Sequence, residues 1–492
     1  MLAVGAAVVI FGPTALAFFT GGYFDAARLI AALAAWALVI VVALTAPRPL
    51  PSSTAGRVAM GGFALLVLWT AVSLSWAPLG GHAQDDLQRL LLYLGFFFAA
   101  TVLLRGPVAR RWLEPALVLG AFVVIAYALS ERLLPGVFEF ARSRSADGRL
   151  EQPLSYWNAL GLLAAIGFVL SARVAGDPER ERLMRGAAGA AGVALGLGVY
   201  LSFSRGALAA VAAGVLFLVA LAPQGRPQLR AAVVLLVAAG LAAFVASQLS
   251  AIESIKRGEQ GDSTEGLIMF GVLVALALAA ALVVSRRAPE RSRTTPVPAL
   301  PVSRPTAVLT IAGALIVAAA LAAAVLEGKP EGISPVQGAD PSRLSSIDTN
   351  RYRYWEVAIS TWADHPLRGV GSGGYEVEWR KQHDRVDKSG DAHSLYLETL
   401  AELGVVGFVL LLAFLAGTGA AVVRLHRVAP GPATALAGGM ATWAVHAGLD
   451  WDWEMPAVTL PALMLGAAAI AWSEELSPSA ARREPESDLV GI

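Results

Sequence analysis

Residues 266–285 read Gly-Leu-Ile-Met-Phe-Gly-Val-Leu-Val-Ala-Leu-Ala-Leu-Ala-Ala-Ala-Leu-Val-Val-Ser, twenty positions without a charge. A helix of that length spans a hydrocarbon core about 30 Å thick. Lipid offers the backbone no hydrogen-bond partner, so such a run has to be a helix. The same pattern recurs along the chain. It predicts about fourteen helices, near 3–20, 27–46, 58–76, 88–104, 113–131, 157–173, 186–202, 206–222, 230–248, 265–285, 306–326, 404–424, 432–449 and 456–472. The N-terminus has no basic leader and reads as a span, not a cleaved signal.

Composition agrees. The chain of 492 residues is 56% hydrophobic and 15% charged, with a mean hydropathy of +0.61. A soluble domain is about half apolar and about a quarter charged. The expected fold is an all-α polytopic membrane protein with a mostly helical extracytoplasmic loop. Residues 1–326 form an N-terminal bundle, 327–403 the long loop, 404–472 the last spans, and 473–492 a cytoplasmic tail. Cysteine is absent, which excludes disulfides, thiolate chemistry and cysteine zinc sites. A net charge of +1 gives no basic field for nucleic acid.

Orientation follows from Arg in the short connections. With the N-terminus inside, the cytoplasmic loops carry Arg105, Arg110, Arg111, Arg173, Arg180, Arg182, Arg185, Arg286, Arg287, Arg291, Arg293, Arg304, Arg424 and Arg427. The opposite short loops are poorer, with Arg28 and Arg89 near their edges. Both termini are then cytoplasmic. The stretch 286–305, rich in Arg and Pro, reads as an irregular linker. The long loop is basic yet lies outside; long loops escape the charge rule, which leaves its cations open to a chemical role.

Residues 391–404, Asp-Ala-His-Ser-Leu-Tyr-Leu-Glu-Thr-Leu-Ala-Glu-Leu-Gly, place His393 in the first turn of a short helix that leads into a span. Asp391 reads as its N-cap and Gly404 as a stop or junction. His393 shares a face with Leu397 and Leu400, with Glu398 and Glu402 pointing elsewhere. Such a histidine can take a hydroxyl proton near neutral pH, or simply bond a backbone carbonyl. His82, His365, His383, His426 and His446 read as structural.

Earlier in the loop a helix is expected over 350–363, capped by Asp348 or Thr349, with Tyr352, Trp355, Ile359 and Trp362 on one face. That stripe packs on the membrane domain or in the headgroup region; stacking on a sugar is the sharper alternative. Arg351 and Arg353 flank Tyr352. They suit anionic headgroups, or a diphosphate, whose oxygens match a guanidinium fork. Arg149 is a further basic candidate for that role. Gly369, Gly371 and Gly374 after Arg368 match G-x-G-x-x-G formally, but no strand surrounds them, and they read as a turn allowing close backbone approach.

Arg205, in Leu201-Ser-Phe-Ser-Arg-Gly, sits between two apolar runs at the outer interface, where a charge either snorkels or functions. Asn158 at the mouth of a span caps that helix or meets a ligand. His446-Ala-Gly-Leu-Asp450-Trp-Asp452-Trp-Glu-Met-Pro456 is an outer turn whose carboxylates can pair with the outer arginines. No metal-ligand spacing appears, since there is neither an H-E-x-x-H nor a calcium loop. No metal or cofactor is expected.

Taken in order, Tyr156-Trp-Asn-Ala-Leu-Gly161, Ser204-Arg-Gly206, Asn350-Arg-Tyr-Arg-Tyr-Trp355, His365-Pro-Leu-Arg-Gly-Val-Gly371, His393 to Gly404, and Asp450 to Pro456 resemble the O-antigen ligase family. That family also includes O-antigen polymerases and protein O-oligosaccharyltransferases. The resemblance implies a GT-C-like membrane glycosyltransferase in a bacterial inner membrane. It implies a polyprenyl-diphosphate-linked glycan donor, usually on undecaprenyl diphosphate, a glycan or lipid acceptor, and no metal or nucleotide sugar. Arg205 and Arg351 look like the family's diphosphate arginines, and His393 like its acceptor histidine. Asn158, Arg368, Ser394 and Asp450 become possible substrate contacts. The family often has Asn after the histidine, where this chain has Ser394. A polymerase of the same family is the alternative function. A secondary transporter is the second alternative, disfavoured because polar groups gather at one face, not at midplane.

Overall fold

The structure, a computed structural model, describes residues 2–223, 225–286, 339–340, 351–382 and 389–477. Among these residues there is no strand. The helices are α1 Leu2–Ala17, α2 Asp25–Thr45, α3 Thr54–Ser73, α4 Gly80–Leu103, α5 Pro107–Leu133, α6 Trp157–Ala175, α7 Arg182–Leu201 and α8 Arg205–Leu221. They continue as α9 Gly225–Ala246, the single turn α10 Ser250–Glu253, α11 Ser263–Arg286, α12 Arg351–Asp364, α13 Tyr375–Gln382, α14 Leu395–His426, α15 Pro430–Ala447 and α16 Pro456–Glu475. Ten are long and apolar enough to cross a membrane; α1 and α8 are shorter apolar helices. The expected span at 306–326, His383, the caps at 348–349 and nearly all of the 286–305 linker lie outside the described residues.

Two helices form the axis. Every residue of α6 from Asn158 onward and every residue of α16 through Ser473 is buried. Around them α2 and α11 bury few positions and carry exposed Leu33, Leu44, Leu267 and Leu278, the arrangement of helices facing lipid. The expected start of the fourth span near 88 is moved back to Gly80. Its first turns are polar, and Arg28–Asp85 and Arg89–Asp86, at 2.8 and 2.6 Å, hold them above the apolar run.

Helix α14 is broken within its length. Gly404 has φ 65° and ψ −169°, a conformation that strains any residue with a side chain. The segment 366–371 lies across the break and satisfies the groups it frees. Val370 N–H donates to Ala401 O (3.1 Å) and Gly371 N–H to Glu402 O (2.8 Å), while Val405 N–H donates to Pro366 O (2.9 Å). A Cβ on Gly404 would fall 2.3 Å from the Leu367 carbonyl, and one on Gly369 2.3 Å from that of Glu402. The glycine-rich stretch therefore serves close backbone packing, as its sequence suggests.

The long loop has its own small core. Tyr354, Trp355, Val357 and Ala358 of α12 pack with Tyr375 and Trp379 of α13, and with Ala392 and Ala401. The buried face of α12 is Tyr354, Trp355, Val357, Ala358 and Thr361. It keeps Trp355 from the expected 352/355/359/362 face but turns toward the loop's own core, leaving Tyr352, Ile359 and Trp362 partly exposed.

One local expectation changes. Asp391 does not cap the helix that follows it, and His393 is not in its first turn. Ser394, extended at φ −163°, is the N-cap, its hydroxyl accepting from Leu397 N–H. His393 has φ 51°, outside helical space, so the helix cannot begin before it.

Candidate active site

The site is built around Asp450, buried in the turn between α15 and α16. Its Oδ1 accepts from Tyr156 Oη (2.7 Å) and from Trp451 N–H (2.9 Å). Its Oδ2 accepts from Asn158 Nδ2 (2.6 Å) and pairs with Arg351 Nη2. Asn158 also donates to Tyr156 Oη at 2.8 Å. One carboxylate thus joins the first turn of α6, the segment before it, and the first residue of α12. Burial alone would push the Asp450 carboxyl up. The Arg351 guanidinium, with His393 and His446, outweighs it and holds the group below the ordinary aspartate value.

His393 stands beside this hub. Its ring stacks on Tyr354, centroids 4.9 Å apart, and its Nδ1 lies 3.2 Å from Asp391 O. A carbonyl only accepts, so Nδ1 carries the hydrogen and Nε2 is the basic nitrogen. The left-handed backbone and the stacked ring fix where that nitrogen sits.

Beneath the histidine, carboxylates from three segments converge: oxygens of Asp391, Glu398 and Glu454 lie within 4.8 Å of one another. Arg89 pairs with Glu454 and Asp86, and Ala392 N–H donates to Glu398 at 2.9 Å. Burial pushes Asp391 up, against the pull of His393, and pushes Glu454 well up, against that of Arg89. These three are the described residues with the geometry to hold a cation, and Arg89 already supplies positive charge there. Glu402 points back into the loop, accepting from Gly373 and Tyr375 N–H at 3.0 Å each.

The second arginine segment is organised by Asp452. Ser204 caps α8, its hydroxyl accepting from Ala207 N–H at 3.2 Å, and Arg205 is the first residue of that helix. His446 Nε2 lies 3.4 Å from Ser204 Oγ, and His446 Nδ1 pairs with Asp452 Oδ2. Gly206 admits the imidazole: a Cβ there would stand 3.1 Å from Nε2. Its smallness answers to this contact.

The other expected residues are placed differently. Arg149 bonds Ala146 O (2.7 Å) and Ser145 O (2.6 Å), and its guanidinium lies 3.6 Å from the centre of the Trp157 ring. Arg353 starts about 200° round the helix from Arg351. Arg368 is exposed, 5.4 Å from the Trp76 ring, and Ser394 is buried in its capping role. Tyr156, His446, Asp452 and the acidic trio were not expected as site members. Tyr156 meets Asp450 across 294 positions and His446 meets Ser204 across 242, so no local spacing signals those contacts, whereas the His446–Asp452 pair spans only six.

The described residues define a polytopic α-helical membrane protein with a polar site at one end of its bundle. Residues 263–412 match the family model described as O-Antigen ligase. It includes Arg351, Arg353, Arg368, His393 and Ser394; Arg149, Asn158, Arg205 and Asp450 lie outside it. The match supports a membrane glycosyltransferase of the O-antigen ligase and polymerase family. No curated protein matches the chain.

Proposed function

We propose that the protein transfers a glycan from a polyprenyl-diphosphate carrier to an acceptor hydroxyl at the outer face of a bacterial inner membrane. The observation that carries this reading is the Asp450 hub, which holds Arg351 in a buried hydrogen-bond network beside His393. In the reaction the bond between the anomeric carbon and the carrier's phosphate oxygen breaks, its electron pair leaving on phosphate. The acceptor oxygen bonds the anomeric carbon, and its proton passes to His393 Nε2. A single displacement of this kind inverts the sugar.

Two arginines fit the leaving group. Arg351 engages Asp450 through Nη2, and a guanidinium fork can bind a carboxylate along one edge and phosphate oxygens along another. Arg205 starts α8, so the guanidinium adds to the positive end of that helix. Charge developing on diphosphate is stabilised by such groups where water is scarce. An apolar cavity of 510 Å³ among α8, α14, α15 and α16, lined by Phe217, Phe414, Met440, Trp443 and Ala444, suits the carrier's isoprenoid chain. Its lining includes Trp443, one helical turn before His446. Arg105 after α4, Arg110 and Arg111 at the start of α5, and Arg173 in the last turn of α6 lie at the opposite end of the bundle from this site and support the outward orientation.

The test is binding of undecaprenyl diphosphate to the full chain in nanodiscs. Arg351→Ala and Arg205→Ala should each weaken it by about tenfold or more. Unchanged affinity in both would remove the assigned leaving-group site. Product analysis then separates the family's two activities: glycan on a distinct acceptor is ligation, and a ladder on the carrier lipid is polymerisation.

A further inference from the structure

Asp452, His446 and Ser204 form a buried relay that the transfer chemistry does not use. They are 1%, 0% and 2% exposed. The Asp452 carboxylate oxygen accepts, so His446 Nδ1 carries a hydrogen and donates to it. In that tautomer Nε2 is an acceptor and takes the Ser204 hydroxyl hydrogen, while Ser204 Oγ accepts from Ala207 N–H. The Asp452 backbone is held in turn by Thr459, whose hydroxyl donates to its carbonyl at 2.7 Å.

A nucleophilic role for Ser204 does not fit. Its hydroxyl is enclosed and both of its hydrogen-bonding functions are taken. A stabilising role alone is also a poor account, because a buried ionisable pair seldom outperforms well-packed apolar residues. What the relay reaches is the N-cap of α8, and the next residue is Arg205.

We propose that Asp452 and His446 are positioning residues for Arg205, acting through Ser204. The turn between α15 and α16 then sets both arginines from one place. Asp450 holds Arg351 directly, and Asp452, two residues on, fixes the start of the helix that presents Arg205. The inference rests on Arg205 being a diphosphate ligand.

The experiment measures kcat and KM for an undecaprenyl-diphosphate-linked oligosaccharide, with thermal unfolding, on the full chain in nanodiscs. His446→Leu removes the acceptor that Ser204 needs; His446→Gln restores an acceptor near the Nε2 position. The expected result is a donor KM raised about tenfold in His446→Leu and within about twofold of wild type in His446→Gln, with acceptor KM unmoved. A rate that falls only with the folded fraction at unchanged donor KM would overturn the proposal, as would equal KM values in the two variants. If His446→Leu fails to fold, Ser204→Ala against Ser204→Thr asks the same question at the cap, with the same opposing outcomes. Arg205→Ala separates the layers. Wild-type donor KM there removes the underlying reading, whereas a raised KM there with an unmoved KM in His446→Leu overturns the relay alone.

Discussion

Asn158 Nδ2 donates to Asp450 Oδ2 at 2.6 Å, joining the first turn of α6 to the turn before α16, 292 positions later. Both partners are buried. The bond ties together the two central helices at the end where the arginines and His393 lie, so it belongs at once to the fold and to the site.

A double-mutant cycle measures that bond. Asn158→Ala and Asp450→Ala should each destabilise the protein, Asp450→Ala more, since it leaves the Arg351 guanidinium without its carboxylate. The double variant should lose less than the sum, with a coupling of about 0.5–3 kcal/mol. Additive losses in thermal unfolding would contradict a direct interaction.

The acidic trio gives a pH dependence of defined sign. Asp391, half-buried, has a folded pKa above its ordinary value because desolvation of the carboxyl outweighs the pull of His393. Between the unfolded pKa, about 4, and the folded one, the native state binds more protons, so stability falls as pH rises through that window. Asp391→Asn should flatten this slope and raise the unfolding temperature at neutral pH. Asp450 behaves oppositely: its depressed pKa stabilises the fold above about pH 4, and that contribution is lost as pH falls through the folded value. Asp450→Asn should therefore lose its deficit relative to wild type only under strongly acid conditions.

Gly404→Ala tests the broken helix. The substitution combines a left-handed φ of 65° with a Cβ placed 2.3 Å from the Leu367 carbonyl. It should cost roughly 3 kcal/mol and expose the 366–371 crossing to protease. Wild-type stability would show that the crossing does not depend on this glycine.

Under the proposed function, in which arginines stabilise the diphosphate leaving group, transfer should proceed unchanged in EDTA. Loss of activity restored by added Mg²⁺ would instead assign the Asp391, Glu398 and Glu454 group to a cation.

Much of this architecture is legible in the chain itself. A twenty-residue apolar run is a local, one-dimensional signal, and every span expected within the described residues is met by a helix. Charge among apolar runs equally marks Arg205, and family resemblance marks Arg351 and His393. Hydrogen-bond partners across hundreds of residues carry no such signal. Nothing near His446 in sequence announces Ser204; the structure buries His446 and joins it to Ser204 and Asp452. Asp391 looked like a cap because Asp before a helical pattern usually is one. The left-handed turn at His393 moved that task to Ser394 and freed the Asp391 carboxyl to face Glu398 and Glu454.

In the proposed reaction His393 assists the acceptor and the arginines hold the leaving group. Its most direct test is single-turnover transfer by purified His393→Ala in nanodiscs, with undecaprenyl-diphosphate binding measured on the same sample. A rate lower by about 10²–10⁴-fold is expected, with donor affinity intact. A wild-type rate in this variant would contradict it.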